Sequence, residues 1–61
     1  MANLTTRELA ALEDQLSFEQ TLVKKYRTMA EQCGDVRLKN DFRTYADKHQ
    51  QHYNMLLTFL Q

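Results

Sequence analysis

Three residues of this chain have side chains whose types and spacing could do chemistry: Glu19, His49 and His52. The two histidines stand three apart in "HQQHY" (residues 49–53), with the apolar run "MLLTFL" close behind. On a helix, that spacing puts both imidazoles on one face. Imidazole and carboxylate are good ligands for zinc or ferrous iron, so the trio could hold a metal ion. The same residues could also do without one. Glu19 could ion-pair with a protonated His49 or His52, with Tyr26 or Tyr45 supplying further hydrogen bonds. Such a layer fixes the register of a helical core, as a buried polar residue does in a coiled coil. A metal site holding zinc or iron, and a metal-free polar layer, both remain open at this point.

Two helices must position these residues. Thr5-Thr6-Arg7-Glu8 has the form of a capping box: Thr5 accepts from the Glu8 backbone and the Glu8 carboxylate reaches back. From there Leu9, Leu12, Leu16, Glu19, Val23, Tyr26, Ala30 and Cys33 recur at alternating steps of three and four. Ala11, Phe18, Leu22 and Met29 widen this stripe beyond one seam, so the first helix needs more than one neighbour. "CGD" at 33–35 breaks the pattern. Gly34 is expected in the left-handed position that closes a helix, with Asp35 capping the next one. The second helix continues through Leu38, Phe42, Tyr45, His49, His52, Leu56 and Phe59, flanked by Ala46, Tyr53, Leu57 and Leu60. The expected fold is all-α: one domain over 1–61, an antiparallel hairpin of helices at about 6–33 and 36–60. The similar strings "YRTMAEQC" and "FRTYADKH" close one helix and open the other, so they are not a structural repeat.

In a hairpin turning at Gly34 and Asp35, equal rise on both arms sets residue i opposite roughly residue 69 − i. Glu19 then faces position 50, level with both histidines and near the middle of each helix. The two apolar stripes expose more than one hairpin can cover, which predicts a homodimer packed as a four-helix bundle. A dimer axis through the middle would gather two carboxylates and four imidazoles into one layer.

Size and composition bound the alternatives. At 61 residues the chain cannot hide a large core, and small domains usually add a disulfide, a metal or a partner chain. Cys33 is the only cysteine, which excludes an internal disulfide and suits a reducing compartment. Cys33 itself reads as a small core hydrophobe. Eight basic residues balance eight acidic ones, so net charge favours neither nucleic acid nor membrane as a partner. The distribution is uneven: residues 1–23 carry a net −3 and residues 24–48 a net +3. The basic residues Lys24, Lys25, Arg27, Arg37, Lys39 and Arg43 read as a solvated face. The first residues lack the apolar segment of a secretory signal, and no run is long enough to span a bilayer. A cytoplasmic location is expected. Ser17 and Cys33 have no catalytic partners in the sequence, and one glycine cannot build a phosphate loop. No catalytic residue and no small-molecule substrate are assigned.

"LEDQLSFEQTLVKKYRTMAEQC" and "ADKHQQHYNMLLTFL" resemble the short ferritin-like proteins of the spore coat protein F type from spore-forming bacteria, over nearly the whole chain. The resemblance implies a ferritin-like four-helix bundle, with spore coat proteins as partners. It also implies a metal site in which Glu19 matches the first-helix carboxylate and His52 the histidine. At His49 the chain departs from the family pattern, which has a bridging glutamate there. Losing that carboxylate argues against oxygen-activating di-iron chemistry, and favours a structural or interaction protein over an enzyme.

Overall fold

The computed structural model describes residues 3–61; Met1 and Ala2, where the expected domain begins, lie outside the described residues. Helix α1 runs Thr6–Gln32 and helix α2 runs Val36–Leu57, followed by a 3₁₀ turn at Thr58–Leu60. There is no strand among the described residues.

Local chemistry starts both helices where the sequence says it should. The Glu8 backbone N–H donates to Thr5 Oγ1 at 3.0 Å, and the Thr5 backbone N–H donates to Glu8 Oε1 at 3.0 Å. Two orphan donors of the first turn are thereby satisfied reciprocally. At the start of α2, the Leu38 N–H donates to Asp35 Oδ1 at 2.8 Å.

The end of α1 differs from the expectation. Gly34 does not occupy the left-handed region; no residue described has a positive φ. Instead Cys33 (φ −85°, ψ 126°) and Asp35 (φ −88°, ψ 124°) are both extended. The chain reverses through a stretched three-residue link because Asp35 must already be extended to cap α2. Cys33 therefore leaves the helix and its apolar stripe. It is half-buried, and its thiol donates weakly to the Asp35 carbonyl at 3.5 Å instead of packing in the core. The last turn of the second arm also departs from a plain α-helix to residue 60. The Thr58 backbone N–H donates to both Met55 and Leu56 carbonyls, tightening the chain into 3₁₀ geometry.

The hairpin is long and thin, 46 × 15 × 11 Å. Its radius of gyration is 14.3 Å, against about 10.5 Å for a compact domain of this length. Among the described residues, only Leu16, Val23, Ala30 and Ala46 form a buried apolar seam. Ala30 and Ala46 are the small members of that seam, 3 % and 1 % exposed. Toward the loop, Tyr26 stacks on Phe42 with ring centroids 6.0 Å apart, and meets Tyr45 edge-on at 5.5 Å.

Candidate metal centre

Glu19 projects from the middle of α1 into the seam and is the one buried charged residue among those described, 4 % exposed. Leu16 and Val23, one turn to either side, are buried with it, so the helix holds its carboxylate against α2. From α2, His49 and His52 close on it. His49 Nδ1 lies 3.0 Å from Glu19 Oε1 and 3.2 Å from Oε2, and His52 Nδ1 lies 3.0 Å from Oε2. Each oxygen thus has an imidazole, and no buried side-chain polar atom described lacks a partner.

The environment grades across the cluster. The Glu19 side chain is 5 % exposed, His49 25 % and His52 52 %, so the cluster opens to solvent on the His52 side. Tyr26 lies nearly parallel to the His49 ring, with centroids 5.7 Å apart and 10° between planes. His52 meets His49 edge-on at 5.5 Å. The aromatic stack fixes the His49 ring plane and keeps water from one face of it.

All three residues expected from the sequence come together. One donor atom from each of Glu19, His49 and His52 lies within 4.8 Å of the others, a separation that suits ligation of one ion. Around a tetrahedral zinc, ligand atoms stand about 3.3 Å apart, only slightly wider than these contacts. Metal binding at Nδ1 requires that nitrogen to be unprotonated, which shifts the remaining proton of a neutral imidazole to Nε2. Without a metal, the same Nδ1 atoms carry the protons and donate to the carboxylate. The two states exchange two N–H···O bonds for three coordinate bonds at one place.

Tyr26 and Tyr45 do not supply the hydrogen bonds expected of them; both act through their rings. The ring packing of Tyr26 on His49 was not foreseen. Its signal was the seven-residue step from Glu19 to Tyr26, which sets both on one face of α1.

No family model matches the chain, and no solved structure matches it. Over 58 residues it is 33 % identical to a protein of Bacillus subtilis (strain 168) named "Uncharacterized protein YuzM", covering 95 % of this chain and 72 % of that protein. The chain belongs to the YuzM family. That name carries no activity or ligand, so the chemistry open to this member of the YuzM family is what the Glu19, His49 and His52 side chains allow. No described helix is long and apolar enough to cross a membrane.

Proposed function

We propose that the chain is a small structural or interaction protein, a hairpin that pairs with a second copy into a ferritin-like four-helix bundle. The observation that supports this most is the apolar surface that one hairpin leaves bare. Phe18, Leu38, Tyr45 and Phe59 are 57, 45, 44 and 46 % exposed. The accessible area is 4862 Å², roughly 700 Å² more than a folded monomer of this mass usually shows. A stable interface hides about 800 Å² on each partner, so one symmetric contact would absorb the excess. Residues Leu38, Tyr45 and His52 recur at seven-residue steps on α2, and Phe59 continues that spacing into the 3₁₀ turn, which places His52 within that bare stripe. Pairing there would bring the open sides of two Glu/His clusters toward each other. The resemblance to coat F proteins supports spore coat proteins as partners and the spore coat as the location.

A second reading, metal binding, is favoured by the convergence of Glu19, His49 and His52 on one point. Zinc suits the set better than a di-iron centre, because His49 stands where the ferritin-like pattern has its bridging glutamate. Zinc would supply no redox chemistry there; it would tie α1 to α2 through the layer.

Native mass spectrometry of untagged protein, purified without chelator, tests both. A dimer is expected, and a monomer at micromolar concentration would remove the basis for the bundle. A metal mass on the dimer would make the cluster a ligand set and name the ion. A dimer that stays bare when zinc and iron are offered would make it a register-fixing polar layer.

A further inference from the structure

The side of the hairpin away from the bare apolar stripe carries a groove of about 200 Å³, lined by Gln20, Val23, Lys24, Arg27, Gln50 and Tyr53. Three of these directly follow the cluster residues: Gln20 follows Glu19, Gln50 follows His49 and Tyr53 follows His52. One residue is a rotation of about 100° on a helix, so the groove sits round the corner from the cluster. Gln20 is also two residues past Phe18, which puts it on nearly the opposite side of α1 from the proposed pairing face. A second copy seated on Phe18 and Tyr45 would leave the groove open.

Its chemistry is one-sided. Lys24 and Arg27 stand three apart on α1, where like charges are neighbours and repel. Neither forms an ion pair with a carboxylate among the described residues, and no acidic residue lines the groove. The neutral lining is rich in donors: the amides of Gln20 and Gln50 and the phenol of Tyr53. Gln50 is already oriented, its Nε2 donating to Asn54 Oδ1 at 3.0 Å and keeping a second N–H free for a ligand. Val23, buried in the floor, and the Tyr53 ring give the groove an apolar wall. Two positive charges, neutral donors and no acid match a compact dianion with tetrahedral oxygens better than a planar carboxylate with one charge.

We propose that this groove binds a phosphate dianion, free or as a small monoester, between Lys24 and Arg27 of α1 and Gln50 and Tyr53 of α2. Arg27 would take two oxygens with its planar fork, Lys24 a third as a point charge, and Tyr53 and the amides would complete the set. The site is independent of the metal reading and of dimer formation, since all six residues belong to one hairpin.

The test is an NMR titration of the 61-residue chain with inorganic phosphate at pH 7.5 and constant ionic strength, with acetate and phenyl phosphate as parallel arms. Saturable shifts of the Gln20 and Gln50 side-chain amides and of the Arg27 Nε–H are expected with phosphate and not with acetate. Lys24→Gln and Arg27→Gln should each weaken binding by about tenfold or more, with helicity by circular dichroism unchanged. Tighter binding of phenyl phosphate than of phosphate would assign a monoester to the site; equal binding would assign the free anion. Shifts that only drift linearly, that acetate reproduces, or that survive in both variants would overturn the proposal.

Discussion

Glu19 and His49 lie thirty residues apart in the chain and meet across the hairpin with Nδ1 3.0 Å from Oε1. Among the described residues, Glu19 is the one charged side chain in the buried seam. Glu19→Ala would strip the acceptor from two imidazoles and leave a void beside Leu16 and Val23. His52 is half exposed and can turn to water, so the expected loss is about 1–3 kcal/mol and not the larger penalty of a fully buried pair. Replacing Glu19, His49 and His52 together by Leu should reverse the sign and raise the melting temperature. Chemical denaturation at one fixed protein concentration checks both, and a stabilised Glu19→Ala would mean the carboxylate is strained in place.

His52 separates ligation from folding. Its side chain is 52 % exposed, so truncating it removes little packing. His52→Ala should therefore keep the helical circular dichroism spectrum while zinc affinity falls by roughly 10–100-fold or more, as the set drops from three ligands to two. Competition with a zinc-binding dye reads the affinity; unchanged affinity would move the zinc elsewhere.

The position of this cluster was legible in the sequence, because two helices of equal rise force Glu19 level with residue 50 once the turn is placed. The caps at Thr5 and Asp35 were legible for a similar reason: each needs only a side chain and a backbone N–H three residues away. Gly34 was misread because a glycine after an apolar stripe suggests a left-handed close. The competing demand, an extended Asp35 to cap α2, acts on the same three residues and prevails. The Tyr26–His49 stack depends on side-chain rotamers and helix rotation, which spacing alone does not fix. The basic groove draws its cations from α1 and its phenol from α2, so no contiguous motif announces it.

The capping box predicts a pH response at the N-terminus of α1. The Thr5 backbone N–H, and then its hydroxyl, hold the Glu8 carboxyl below the usual glutamate range. A depressed folded value means the cap stabilises the helix fully above the unfolded value, roughly 4.3, and is lost as pH falls through the folded one. Carbon-detected NMR titration should find Glu8 titrating below the ordinary glutamate range, and Thr5→Ala, which removes the hydroxyl but keeps the backbone N–H, should move it only part of the way back. An ordinary Glu8 in the parent protein would mean the box does not persist in solution.

Gly34 offers a stabilising change that the usual rule for helix-ending glycines would forbid. Its φ lies outside the positive region, and a Cβ built there would meet nothing within 4 Å. Alanine costs no strain at such a position and restricts the unfolded chain, so Gly34→Ala should gain about 0.4–1 kcal/mol. Thermal unfolding at matched concentration decides it: a loss of a kcal/mol or more would show that the link adopts a left-handed turn in solution.

The pairing face can be tested by charge placement, because exposure alone does not define it. Val36 is 71 % exposed, more than Phe18 at 57 % or Tyr45 at 44 %. Yet helical spacing sets Val36 on the flank of α2 away from the Leu38, Tyr45 and His52 line. If a second copy covers Phe18 and Tyr45, Phe18→Glu or Tyr45→Glu would bury two extra carboxylates per dimer at the contact, a cost of several kcal/mol that the interface cannot offset. Both variants should sediment as monomers at micromolar concentration, while Val36→Glu stays dimeric. The melting temperature of the parent should rise with protein concentration and that of the two monomeric variants should not, since only association couples folding to mass action. A Phe18→Glu protein that remains dimeric would place the interface elsewhere, whereas a Val36→Glu monomer would show that any added charge dissociates the pair.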